Sequence, residues 1–281
     1  MVQAHLSFEF FPPQTDVGVE KLASVRDQLT CYTPEFYSVT YGAGGSTQHK
    51  TLRIVEEMKA AQFPVAPHVS GIGATKAEMD ALLEKYTGWQ IDRFVALRGD
   101  LPSGMAQSGE FKYASELVGH MRKRLGDEVE IYVAAYPEYH PQSKSPDADI
   151  SNFKNKVDEG ATAAITQYFF NTDAYDHFVD QCTSRGVTIP IIPGVMPIEK
   201  FFQLARFSDA CGAEIPRWIR KKLEHFADDI KSIQLFGLEV VQKMCERLLS
   251  SGAPGLHFYT MNQSDKVSAI CDSLKLGSMP R

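Results

Sequence analysis

Ser7-Phe8-Glu9-Phe10-Phe11-Pro12-Pro13 is the first apolar run of the chain, and its own two prolines end it. Three phenylalanines in so short a run favour a strand, and consecutive prolines cannot continue a hydrogen-bonded ladder. Alternation places Phe8 and Phe10 on one face and Ser7, Glu9 and Phe11 on the other. Beside Phe11 at a strand end, the Glu9 carboxyl is expected to lose part of its hydration. That would raise its pKa and suit it to proton donation. A structural glutamate would instead pair with a lysine or arginine inside the core, and the run alone leaves both readings open.

Outward from this run, similar short stretches rich in apolar, β-branched and aromatic residues recur at 35–41, 65–70, 93–97, 130–135, 163–169, 189–195 and 255–261, with the first at 6–11. Between most of them lies one stretch of helical period, at 18–28, 48–61, 76–86, 113–125, 150–159, 173–185 and 265–274. The last gap is longer and holds extra helical pattern around 201–207, 217–226 and 230–249. Eight strand–helix alternations, with strands apolar on both faces, predict an α/β fold of the closed parallel (β/α)8 TIM-barrel type. A doubly wound open sheet is the alternative, but Gly42-Ala43-Gly44-Gly45 after strand 2 lacks the G-x-G-x-x-G spacing of a dinucleotide turn. No linker or composition shift divides the chain, so one domain over residues 1–281 is expected, with the extra helices between strands 7 and 8.

Composition narrows the function. The chain has 29 basic and 35 acidic residues, a net charge of −6, and no basic stripe with interleaved aromatics, which argues against nucleic acid. The densest basic run, Arg217 to Lys222 (RWIRKK), reads as a solvated helix face. No apolar stretch approaches the length of a bilayer span, and the start MVQAHLSFEFFPP is not a signal sequence. Five scattered cysteines without C-x-x-C read as reduced thiols, and no metal-ligand spacing occurs among the eight histidines. The expectation is a cytoplasmic, metal-free protein that binds no membrane and forms a homo-oligomer.

In a barrel of this type the chemistry gathers at the C-terminal strand ends. Those ends carry Glu9, Thr40 and Tyr41, His68 and Ser70, Arg98-Gly99-Asp100, Tyr136 to His140, Gln167 to Phe170, Pro193-Gly194, and Tyr259-Thr260. The set holds acids, imidazoles and amides but no serine nucleophile triad. Such a rim suits a flat, hydrogen-bonding heterocycle, with a bound cofactor doing the chemistry. Each piece also has a plainer reading: a tight turn at the glycines, a satisfied core histidine at 68, a local ion pair at Arg98. Downstream, Asp149, Asn152 and Lys156 fall on one helical face, either a solvated helix start or a pocket for ribose and phosphates.

Taken together, the stretches at 7–13 (SFEFFPP), 38–42 (SVTYG), 66–68 (APH), 95–102 (VALRGDLP), 134–140 (AAYPEYH), 164–170 (AITQYFF), 191–197 (IIPGVMP) and 256–262 (LHFYTMN) resemble the methylenetetrahydrofolate reductases, flavin enzymes of one-carbon metabolism. They fall in order across almost the whole chain. The resemblance implies a (β/α)8 barrel with FAD as cofactor and NADH or NADPH as co-substrate. The implied substrate is 5,10-methylenetetrahydrofolate, reduced to 5-methyltetrahydrofolate in a ping-pong cycle. It implies Glu9 as catalytic acid and Asp100 as the carboxylate near flavin and pterin. Gln167 matches an amide that meets folate and nicotinamide in turn, Thr40 a nicotinamide-side contact, and Gln203 a folate contact. The implied FAD site draws on Tyr41, Ala43, His68, Arg98, Gly99, Asp100, Ala114, Tyr136, His140, Ser143, Asp149, Asn152 and Lys156.

Two positions depart from the family pattern: Asn155 stands where a basic residue is expected beside Lys156, and Gln263 where an arginine often lies near the substrate. From the length, the C-terminal regulatory domain of eukaryotic members is not expected. Two rivals use the same pocket: folate-dependent methyl transfer without flavin redox, and a non-catalytic barrel that only binds folate or flavin.

Overall fold

The computed structural model describes residues 5–41, 48–99 and 109–277. Parallel strands β1 (His5–Phe10), β2 (Phe36–Val39), β3 (Val65–Ser70), β4 (Arg93–Leu97), β5 (Glu130–Ala135) and β6 (Ala163–Thr166) run side by side. The sheet continues through β7 (Ile191–Ile192) at one end and β9 (Gly255–Tyr259) and β8 (Gly194–Val195) at the other. β7 pairs with β6 and β8 pairs with β9, so these two short strands are one interrupted stave that closes the barrel. The single strand expected over 189–195 is therefore corrected to two. Pro193 between them lacks an N–H to give, yet its carbonyl accepts the His257 N–H at 3.0 Å. The strand expected over 163–169 also ends early, at Thr166.

Between the strands run α1 (Asp16–Leu29), α2 (Gln48–Ala60), α3 (Lys76–Gly88), α4 (Ala114–Leu125), α5 (Pro146–Asp158) and α6 (Thr172–Ser184). The predicted insertion between the seventh and eighth staves is α7 (Phe201–Cys211), α8 (Arg217–Phe226) and α9 (Ile230–Ser250), and α10 (Asp265–Ser273) follows β9. Local sequence sets the helix starts. Ser145 caps α5 by accepting the Ala148 N–H, and Pro146 occupies the first helical position, four residues before the expected start. Thr75 and Glu78 form a reciprocal capping box on α3.

Alternation along each stave divides the apolar residues into two cores. Phe8, Phe10 and Val39 face outward into the layer between strands and helices. Phe36, Ala66, Val95, Tyr132, Ala163, Ile165 and Ile192 fill the barrel interior. At the N-terminal end the Phe36 and Tyr132 rings lie 4.9 Å apart, and the Arg93 guanidinium caps Phe36 at 4.9 Å while pairing with Glu130. That end is plugged. The C-terminal end, among the described residues, holds the cavities lined by Glu9 and by Lys156.

Candidate functional site

Inward-facing residues of three staves meet at the base of the barrel mouth. Glu9 on β1 is followed across the sheet by His68 on β3 and His257 on β9. His68 Nε2 lies 3.3 Å and His257 Nε2 3.5 Å from Glu9 Oε2, and neither imidazole nitrogen has a well-formed hydrogen bond elsewhere. On its far side, His257 Nδ1 is hydrogen-bonded to Ser7 Oγ at 2.7 Å. With Ser7 as donor, the Nε2–H of a neutral His257 faces the carboxylate.

The expected rise in the Glu9 pKa does not occur. Burial does push it upward, but the adjoining His68 and His257 imidazoles outweigh burial and hold the carboxyl down to about 2. Sequence reasoning weighed Phe11 as the neighbour and missed both imidazoles. Phe11 is itself exposed at the rim. Burial in turn pushes His257 below its usual value, opposed by Glu9. The Glu9 side chain remains 17% exposed, so the carboxylate reaches the cavity above it.

That cavity, of about 360 Å³, is lined by Glu9, Thr40, Tyr41, His68, Tyr136, Gln167, Tyr168, Met196, Tyr259 and Met261, among others. Gln167 is oriented by the Tyr168 N–H, which donates to its Oε1 at 2.9 Å. Tyr259 is fixed by donating to the Thr166 carbonyl at 2.7 Å. Polar ends on an aromatic wall suit a planar heterocycle with several hydrogen-bonding edges.

Leu97, Ala134 and Tyr136 also line a second cavity of about 530 Å³, so the two adjoin. Into it face Arg98, Gly99, Ala114, His140, Ser143, Asp149, Asn152, Asn155 and Lys156. The helical spacing of Asp149, Asn152 and Lys156 thus puts all three on one wall of this cavity, with Asp149 buried and Asn152 exposed. Lys156 Nζ donates to the Ala134 carbonyl at 2.5 Å, and burial lowers its pKa to about 8 although Asp149 opposes the shift. Burial raises the Asp149 pKa, offset in part by the His140 N–H donating to Oδ2 at 3.1 Å and by the Lys156 charge. Gly99, at φ 87°, is obligatory: a Cβ there would stand 2.1 Å from Ser70 Oγ. A buried ammonium, the Arg98 guanidinium and small polar groups along a channel fit an elongated phosphate-bearing ligand.

Gln203 on α7 and Gln263 after β9 lie apart from this channel. They share a small cavity with Met196, Pro197, Lys200 and Met261, beside the mouth. Ala43, Asp100 and the glycines at 42, 44 and 45 lie outside the described residues. Ser7 and His257 were missed as site residues, although a signal existed. His257 and Tyr259 alternate onto one face of β9, and the register pairs Ser7 with His257. Among the described residues no group of three or more His, Cys, Asp or Glu is placed to hold a metal, and no helix is long and apolar enough to cross a membrane.

Comparison with known proteins bears on this geometry. The family model described as methylenetetrahydrofolate reductase matches residues 2–275. The 5,10-methylenetetrahydrofolate reductase of Escherichia coli is 40% identical over 273 residues, covering 97% of this chain and 91% of that protein. The Salmonella typhimurium protein of the same name is 39% identical with the same coverage. Methylenetetrahydrofolate reductase (NADH) 1 of Arabidopsis thaliana is 35% identical, covering 98% of this chain and 49% of its own. Among solved structures, an uncharacterized protein from Clostridium thermocellum that binds two copies of 5-methyl-5,6,7,8-tetrahydrofolic acid superposes with a TM-score of 0.67. At 17% identity, over 98% of this chain and 94% of that one, the likeness is one of fold.

Proposed function

The chain belongs to the methylenetetrahydrofolate reductase family, an oxidoreductase family acting on 5,10-methylenetetrahydrofolate, and from that premise we propose its full reaction and the residues that carry it. NAD(P)H binds first, gives up a hydride and departs. 5,10-Methylenetetrahydrofolate then enters the same mouth and leaves as 5-methyltetrahydrofolate. The observation that carries this reading is that the two cavities adjoin at Leu97, Ala134 and Tyr136, with Glu9 at the base of one and Lys156 in the wall of the other. Residues 1–281 act as one catalytic barrel.

The donor set fits FAD. Lys156 and Arg98 would hold the diphosphate, Asn152, Asp149 and Ser143 the ribose side, and Tyr41, His68 and Tyr136 the ring system. Bound there, FAD supplies a hydride acceptor toward NAD(P)H and a hydride donor toward the folate. Thr40 serves the nicotinamide side, and Gln167 bonds each substrate in turn. Gln203 and Gln263 meet the folate tail. Asp100 keeps the role its family resemblance implies, a negative charge beside flavin and pterin.

The folate step needs a proton at N10 so that the five-membered ring opens to an iminium. The His68 and His257 imidazoles hold Glu9 ionised, so its carboxyl has to gain a proton as substrate binds. A substrate ring filling the mouth strips the remaining water from Glu9. Loss of water there disfavours the ionised carboxylate and favours its protonated form. Glu9, flanked by His68 Nε2 at 3.3 Å and His257 Nε2 at 3.5 Å, then gives its proton to N10. Anaerobic titration tests the whole reading. A yellow protein should bleach with NAD(P)H and regain colour on adding methylenetetrahydrofolate. Methyl transfer or simple binding leaves the colour unchanged, and bleaching that folate fails to reverse would overturn the reductase reading.

A further inference from the structure

Thr260-Met261-Asn262-Gln263 forms a tight turn after β9, with the Gln263 N–H donating to the Thr260 carbonyl at 3.0 Å. Both central residues have positive φ, 52° at Met261 and 53° at Asn262, as in a type I′ turn. Asparagine tolerates that conformation, but the Cβ of methionine disfavours it. Surrounding contacts must therefore impose it.

The contact that does so is the Asn262 carboxamide. Its Nδ2 donates to the Phe11 carbonyl at 2.8 Å, and its Oδ1 accepts the Phe11 N–H at 3.1 Å. The side chain thus supplies a further rung beyond the last paired residues of the β1–β9 ladder, Glu9 and Tyr259. Thr260 Oγ1 ties the same parts together, donating to the Glu9 carbonyl at 2.7 Å and accepting the Asn262 N–H at 3.1 Å. The turn is locked to the end of the strand that carries Glu9. Met261, with Met196, lines both the mouth cavity and the small cavity holding Gln203 and Gln263.

We propose that Asn262 is a positioning residue for the folate substrate: by clamping the Phe11 main chain it holds Met261 in the left-handed turn, where the thioether side chain forms the wall between the mouth and the Gln203 cavity. This rests on the reductase reading, in which folate spans both cavities while the nicotinamide needs only the mouth. A ligand that crosses the wall meets both sides of Met261. One that fills the mouth alone meets one side and feels its position less.

The test uses the FAD-loaded enzyme and a double-mutant cycle. Asn262→Gly permits the same backbone but removes both hydrogen bonds, which should raise the KM for methylenetetrahydrofolate about tenfold. The kcat and the KM for NAD(P)H should change by less than about twofold, the spread allowed to sites outside the contact. Met261→Ala, which deletes the wall and leaves the clamp, should raise the folate KM similarly, and the double variant should be no worse than the worse single one. Asn262→Asp keeps the acceptor and the left-handed preference, so it should shift the same constant less, and it serves if the glycine variant is insoluble. Calorimetric Kd values for 5-methyltetrahydrofolate should follow the same order without any turnover. A clamp that only staples the barrel would lower the melting temperature and affect both substrates together, or would add to Met261→Ala; either result overturns the proposal. Wild-type protein that binds folate without reducing it would overturn the reaction reading instead and leave the clamp to be judged by the Kd series.

Discussion

The imidazoles 3.3 and 3.5 Å away hold the Glu9 carboxyl down to about 2, so in the proposed role of folate-side acid it must gain its proton as substrate binds. Their effect is electrostatic and local, so a change at Glu9 should be selective. Glu9→Gln keeps the volume and removes the ionisable group. Bleaching by NAD(P)H requires no proton at N10 and should run at near-normal rate. Folate reduction should fall by about 10²–10⁴-fold, the usual loss with a general acid. Stopped-flow measurement of each half-reaction decides between this and a purely structural glutamate, which would give equal losses in both.

Among the elements, the interrupted stave β7–β8 supports the mouth from behind, through Thr166 and Tyr259. Gly194 begins β8, donates its N–H to Thr166 Oγ1 at 2.9 Å, and passes close under the Tyr259 ring. A Cβ at this position would lie 2.1 Å from the Thr166 carbonyl oxygen and 2.6 Å from Tyr259 Cε2. Backbone cannot yield as a flexible side chain does, so Gly194→Ala should cost about 1–3 kcal/mol by overpacking. It should also loosen Tyr259, whose hydroxyl holds the same carbonyl. Gly88 at the end of α3 is the control, since a Cβ there meets nothing within 4 Å. Thermal melts should show a drop of several degrees for the first substitution and almost none for the second.

At the scale of the whole molecule, folding buries Lys156 before any anion arrives. Its pKa falls from 10.5 to about 8, so between those values the unfolded chain binds the extra proton and the folded one does not. Stability from this group therefore rises as pH increases from about 8 to 10.5, and the burial cost stands in full below pH 8. Lys156→Met should remove that slope and stabilise the ligand-free protein near neutral pH, because an apolar side chain replaces a buried charge. The same substitution should abolish most of the rise in melting temperature that FAD gives the wild type, since that rise scales with affinity. Denaturant melts at pH 7 and 9.5, with and without FAD, measure both effects.

The periodicities of 2 and 3.6 along the chain specify eight staves, their intervening helices and the insertion before the last stave, because alternation and helical spacing are local properties. Spacing also put Asp149, Asn152 and Lys156 on one face of α5. The protonation state of Glu9 was not legible, since His68 and His257 come from staves 59 and 248 residues further along and meet Glu9 only when the barrel closes. The break at Pro193 was hidden too, because its two halves pair with different neighbours, β6 and β9, which no local window contains. Asn262 reads as an ordinary turn residue until β1 lies beside it and offers the Phe11 main chain. Local pattern determined the elements and the rim they carry; long-range closure alone decided the charge on the acid and the placing of the walls around it, because both depend on through-space distances between residues far apart in the chain.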